Sequence, residues 1–264
     1  MQLALVSFDI AWEDVPRNLR RAREQLSRAR DLGATLAVLP EMFATGFSMN
    51  ASRIAEPPDG PIQEFLSEAA ASLGIGILAG VATHADPSRR PVNEAILTTP
   101  GGERSRYEKL HPFSLAKEHE HYAGGSGVVT WNVDGIRVTP LVCYDLRFPE
   151  PFRVAAPDTD LYVVIANWPD RRRAHWQTLL RARAIENVAY VAGVNRVGDG
   201  DGHHYSGDSA LISPWGETIV SAAEDETILV ANVDPARVSE TRARFPFLSD
   251  VRPGCYRRGT APDH

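Results

Sequence analysis

The chain has 264 residues, 43% hydrophobic and 23% charged. That balance excludes wholesale disorder, and a chain this long can bury roughly 70–75% of the surface its unfolded form exposes. Twenty-eight Lys and Arg against 34 Asp and Glu leave a net charge of −6, which lacks the footprint of a general nucleic-acid binder.

The N-terminus, Met1-Gln2-Leu3-Ala4-Leu5, has no basic stretch before its apolar residues, and the apolar runs fall far short of the ~20 residues of a membrane span. Two cysteines, Cys143 and Cys255, are too few for a disulfide framework and suit a reducing compartment. A cytoplasmic location without a signal peptide or membrane partner is expected.

Residues 3–8 read as a strand. Leu19, Ala22, Leu26 and Ala29 follow at helical spacing, and Gly33 stands where a helix C-terminal glycine belongs. Residues 35–39 form a second apolar strand, stopped by Pro40. Residues 61–73 have a helical pattern, with Pro61 suited to the first turn. A strand over 75–82 follows, then two more over 94–99 and 104–107 around a turn at 100–102. Residues 109–127 make a long loop rich in His, Glu and Gly, of the kind that tends to carry function. Strands over 128–133 and 136–142 flank Asp134-Gly135, a hairpin signal.

Residues 161–166 read as a buried strand, 171–187 as a helix and 189–195 as a strand. Gly200, Asp201, Gly202 and Gly207 mark a loop around His203-His204. A late meander spans 209–213, 218–221 and 228–232, and a last helix spans 235–244. No linker or repeat appears, so one domain over 1–264 is expected, with a loose tail from about residue 254. Strand–helix–strand alternation on both sides of a β-rich middle suggests layered sheets with helices outside.

Chemistry-bearing residues follow several of these strands. Cys143 ends one and precedes a turn, a place where a nucleophile and backbone N–H donors for an oxyanion can be built together. A thiol of ordinary pKa ~8.5 needs a base or a cation beside it at neutral pH. Glu41 and Lys109 also stand at strand ends. Taken alone, Cys143 reads first as a buried structural cysteine, Glu41 as a loop carboxylate and Lys109 as a solvated surface lysine. Spacing does not establish that the three converge. His203, His204 and Asp208 lack zinc-ligand spacing, and no metal is expected.

Leu39-Pro40-Glu41-Met42-Phe43, Tyr107-Glu108-Lys109-Leu110-His111 and Leu141-Val142-Cys143-Tyr144-Asp145-Leu146-Arg147-Phe148-Pro149 together resemble the nitrilase superfamily of carbon–nitrogen hydrolases. The resemblance continues, in order, through Asn167-Trp168-Pro169, His175-Trp176, the stretch from Arg181 to Asn187, and Gly207-Asp208-Ser209. The Asn-Trp-Pro segment, the His-Trp pair and Glu118-His119-Glu120-His121-Tyr122 are similar to the omega-amidase branch. Enzymes of that branch hydrolyse the side-chain amide of 2-oxo acid amides such as 2-oxoglutaramate and 2-oxosuccinamate.

The resemblance implies an α/β fold, a four-layer α-β-β-α sandwich that forms homodimers, and a Glu–Lys–Cys triad of Glu41, Lys109 and Cys143. It implies a second glutamate, Glu118, with Glu120 as the alternative, and no cofactor. Cys143 attacks the amide carbonyl, Lys109 and the backbone N–H of Tyr144 stabilise the oxyanion, and Glu41 moves the protons. Lys109 is also expected to lower the thiol pKa.

A 2-oxo acid amide carries a distal carboxylate, which a bidentate arginine suits. Arg172 is the choice by its position between Trp168 and His175, although a solvated basic run at a helix start explains Arg171-Arg172-Arg173 equally. Phe43, Tyr122 and Trp168 are the expected pocket walls, alongside a small-molecule amide. The alternatives are another amide, carbamoyl or nitrile hydrolase with the same triad, or a non-catalytic interaction protein on the same scaffold. The intact triad residue types argue against the latter.

Overall fold

The computed structural model describes residues 1–256. Its strands in chain order are β1 (Gln2–Ser7), β2 (Leu36–Val38), β3 (Gly76–Thr83), β4 (Val92–Thr98), β5 (Arg104–Glu108), β6 (Trp131–Val133), β7 (Ile136–Val142), β8 (Leu161–Ala166), β9 (Tyr190–Asn195), β10 (Val197–Gly200), β11 (His203–Ser206), β12 (Ser209–Ile212), β13 (Thr218–Ala222) and β14 (Thr227–Asn232). Its α-helices are α1 (Val15–Asp31), α2 (Ala51–Ile54), α3 (Pro61–Leu73), α4 (Glu118–His121), α5 (Pro149–Ala155), α6 (Arg173–Asn187) and α7 (Pro235–Arg244).

Two six-stranded sheets run β14-β1-β2-β3-β4-β5 and β13-β12-β9-β8-β7-β6. Each has a parallel centre, β1-β2-β3 in one and β7-β8-β9 in the other, with antiparallel flanks. Parallel strands are covered on both faces, so they read as unbroken apolar runs. β8, Leu-Tyr-Val-Val-Ile-Ala, is buried at every position.

The two-residue period sorts side chains between layers. Leu3 and Leu5 of β1 enter a core shared with Val138 and Val163 of the other sheet. Ala4 and Val6 face Ala22 and Leu26 of α1 and Leu66 and Ala69 of α3. On the far side, Phe152 of α5 and Trp176 and Leu180 of α6 close the first core. The result is the α-β-β-α sandwich.

The structure gives α3, β7, β8 and α7 the bounds that their patterns predict. The main departure lies around His203-His204, where a loop is expected between Gly200 and Gly207 but residues 197–206 form a β10–β11 hairpin outside both sheets. Its turn is Asp201-Gly202, with φ of 48° and 72°, the same pairing as Asp134-Gly135 at 51° and 81°. Gly198 and Gly200 dilute the strand pattern on its first side and hide it. Of the tail expected to be loose, Pro253–Cys255 form a 3-10 turn, and residues 257–264 lie outside the described residues. Among the described residues no helix is long and apolar enough to cross a membrane.

Candidate active site

The C-terminal ends of four strands supply the chemistry. Glu41 lies three residues past β2, while Lys109, Cys143 and Asn167 directly follow β5, β7 and β8. The first pair comes from one sheet and the second from the other. Lys109 Nζ donates to Glu41 Oε1 at 3.0 Å and to Glu118 Oε1 and Oε2 at 3.0 and 2.9 Å. All three side chains are fully buried. Asn93, near the start of β4, bridges the carboxylates, its Nδ2 donating to Glu41 at 2.7 Å and to Glu118 at 3.0 Å.

Glu41 reaches this place because β3 lets the chain come close. A Cβ on Gly80 would lie 2.5 Å from Glu41 Cα and 2.6 Å from Met42 N, so only glycine fits. The Glu118 carboxylate is also held by its own loop, accepting from Phe113 N at 2.5 Å. Glu120, the alternative, is exposed and pairs with Lys117 at 3.9 Å.

Cys143 is half-buried and adopts the left-handed conformation, with φ of 47°. For a non-glycine residue this costs about 1–2 kcal/mol, so neighbours must impose it. The buried Asp145 does so. Its Oδ2 accepts from Val142 N at 3.1 Å and Tyr107 Oη at 2.8 Å, and its Oδ1 accepts from His111 N at 2.9 Å and contacts His111 Nδ1 at 2.8 Å. One carboxylate thereby ties the cysteine turn to the segments flanking Lys109. Tyr144 occupies the second position of the 3-10 turn Cys143–Arg147, where an N–H has no acceptor within the turn.

Asn167 joins the two halves. Its N–H donates to Glu41 Oε2 at 2.9 Å, its Nδ2 to Glu41 O at 2.6 Å, and Cys143 Sγ lies 3.9 Å from its carbonyl oxygen.

Burial would push Lys109 down, but Glu118, Glu41 and the thiol beside it outweigh that and hold it well above the usual lysine range. Burial, then Glu41, pushes the Cys143 thiol well up, and Lys109 offsets this only in part. Lys109 acts in the expected direction, but burial and the carboxylates of Glu41 and Glu118 together outweigh it.

A cavity of about 280 Å³ opens over Cys143. Trp168, Arg172 and Tyr144 line it, as do Arg147, Arg171, His203 and Tyr205. Two expected walls do not. Phe43 is fully buried on the far side of the sheet, its ring 6.3 Å from Phe65 of α3, because the positive φ at Met42 (45°) turns the chain there. Tyr122 packs with Met42, Ile54 and Ala82 and donates to Ser48 O at 2.7 Å, behind the carboxylates.

The sequence profile described as carbon-nitrogen hydrolase matches residues 2–243. The chain belongs to the carbon–nitrogen hydrolase family. It acts as a hydrolase of non-peptide carbon–nitrogen bonds. It is 42% identical over 253 residues to the omega-amidase YafV of Escherichia coli strain K12, covering 95% of this chain and 96% of that one. The 2-oxoglutaramate amidase of Bacillus subtilis strain 168 is 31% identical, with 96% and 98% covered. Among solved structures, XC1258 from Xanthomonas campestris, a CN-hydrolase superfamily protein with an arsenic adduct in its active site, superposes with a TM-score of 0.90 at 38% identity, over 96% of this chain and 97% of that one.

Several residues at the site of this carbon–nitrogen hydrolase escaped sequence reasoning. Asn93 falls just before the strand expected over 94–99, Asn167 reads only as part of a motif, and Tyr205 as part of a loop. The signal that could have found Tyr205 is the Asp201-Gly202 turn, which makes its neighbours a hairpin.

Proposed function

We propose that this carbon–nitrogen hydrolase is an omega-amidase, cleaving the side-chain amide of 2-oxo acid amides such as 2-oxoglutaramate and 2-oxosuccinamate to the 2-oxo dicarboxylate and ammonia. The observation that carries the reading is a buried Glu41–Lys109–Glu118 cluster joined through Asn167 to Cys143, beneath a cavity lined by Arg171 and Arg172. Arg172 makes no ion pair among the described residues and lies 5.2 Å over the Phe113 ring. Burial, then Arg171, lowers its pKa, and the negative charge of a ligand carboxylate there would offset both effects.

In this mechanism Glu41 takes the thiol proton as Cys143 Sγ bonds to the amide carbon. The oxyanion receives the N–H of Tyr144 and one N–H of Lys109, turned from the carboxylates that hold it at rest. The C–N bond breaks as Glu41 gives its proton to the leaving nitrogen. Ammonia departs and a thioester remains. Glu41 then takes a proton from water, whose oxygen attacks the thioester, and the proton passes to the departing sulfur. Glu118 holds Lys109 throughout. The raised thiol pKa fits a resting thiol ionised only during attack.

The test is ammonia release from 2-oxoglutaramate and 2-oxosuccinamate, beside glutamine, by wild type and Cys143→Ala. Turnover of the 2-oxo amides, little of glutamine and a dead mutant are expected. Retained activity in Cys143→Ala would overturn the mechanism. A wild type silent on the 2-oxo amides yet alkylated at Cys143 would favour another amide, carbamoyl or nitrile as substrate. A cytoplasmic homodimer goes with this reading: both cysteines are free thiols, and light scattering at micromolar concentration should give twice the chain mass.

A further inference from the structure

The β10–β11 hairpin contributes Asp201, His203 and Tyr205 to the cavity wall. Tyr205 is 2% exposed, yet its hydroxyl has no hydrogen-bond partner among the described residues. Its ring is fixed from below, 4.5 Å from the guanidinium of the fully buried Arg196. Arg196 is itself anchored, Nη2 donating to Asp9 Oδ1, Ile10 O and Asp199 O at 3.0, 3.0 and 2.9 Å. This is an expensive support for a side chain without a partner: Arg196 Nη1 remains buried and unsatisfied. A Cβ on Gly200 would lie 2.6 Å from that same atom, so the hairpin backbone closes directly over it.

We propose that Tyr205 is a specificity-determining residue whose hydroxyl donates to the 2-oxo oxygen of the substrate. The inference rests on the omega-amidase reading and names the group that recognises the ketone. The division of labour follows from charge. A carboxylate calls for a cation, which Arg172 supplies, whereas a ketone oxygen is a neutral acceptor that one hydroxyl suits. Burial holds the phenol up at about 12, against the pull of Arg196. It therefore remains a donor at any working pH. Tyr205, Arg172 and Cys143 line the same cavity.

The test compares kcat/KM for 2-oxoglutaramate and for 4-carbamoylbutanoate, the same chain without the oxo group, in wild type and Tyr205→Phe. Loss of one neutral hydrogen bond predicts a fall of about tenfold for the oxo amide, carried by KM, and a change under about twofold for the other. Alkylation of Cys143 should keep its wild-type rate, showing that the nucleophile is undisturbed. Equal falls on both substrates, no fall on either, or slowed alkylation would overturn the assignment. A wild type inactive on both amides overturns the omega-amidase reading and the assignment with it. A wild type active on the oxo amide, with an unchanged ratio in the mutant, overturns the assignment alone.

Discussion

Asp145→Asn changes one oxygen to an amide and keeps the shape. In the wild type the carboxylate faces four groups: Val142 N, Tyr107 Oη, His111 N and His111 Nδ1. An asparagine must turn its NH2 toward one pair. Tyr107 can rotate its proton away and accept, and His111 can change tautomer, but a backbone N–H cannot. Either orientation leaves one buried N–H, of Val142 or of His111, facing another donor. The orphaned donor and the lost charge-assisted bond together cost about 3 kcal/mol, on the order of 10 °C in melting temperature at this chain length. The Cys143 turn should relax with it, so kcat/KM and the alkylation rate of Cys143 should fall together. Thermal unfolding, amide turnover and alkylation report the three quantities. An Asp145→Asn protein as stable and as readily alkylated as wild type would refute the claim that this carboxylate imposes the strained nucleophile.

Glu41→Gln should slow hydrolysis on the order of 10³-fold, the range for a lost general base, while lowering the pKa of Cys143, because Glu41 is a main cause of its rise after burial. Ultraviolet titration of the thiolate, with Cys143→Ala as the blank, reads the shift, and an unchanged or higher pKa would contradict it. The raised thiol also fixes a sign. Its contribution to stability is complete below the ordinary thiol range and is lost as pH climbs through the folded value, so alkaline unfolding should be shallower in Glu41→Gln. Gly80→Ala forces a methyl against Glu41 Cα and Met42 N and should cost about 1–3 kcal/mol. Denaturant midpoints measure this, and a neutral substitution would show that β3 need not approach Glu41 so closely.

Each member of the catalytic trio follows a strand, apolar before Glu41 and Cys143 but largely polar before Lys109. The trio was legible through the motifs around Glu41, Lys109 and Cys143 and their resemblance to a known family. Convergence was not, since it depends on which strand ends share a rim, and that is set by sheet order rather than by chain order. Asn93 illustrates the gap. Only the antiparallel register that sets it opposite Ala82 of β3, and beside Lys109 through the bond from Lys109 N to its carbonyl at 2.9 Å, reveals its place. Glu118 and Glu120 lie within one helical turn, so spacing could not separate them, whereas contact with Phe113 N does. Phe43 misled for a local reason: adjacency to Glu41 suggests a shared pocket, but a left-handed residue between them sends the two side chains to opposite faces.

The hairpin that carries Tyr205 stands outside both sheets, whereas Lys109, Cys143 and Asn167 directly follow strands that belong to them. None of the hairpin's residues belongs to the two main core clusters, so changes at its cavity-lining positions leave those clusters unstrained. A lineage could exchange one substrate for another there while inheriting its bond-breaking apparatus unaltered, and a protein engineer seeking a new amide has the cavity-lining Asp201, His203 and Tyr205 to vary.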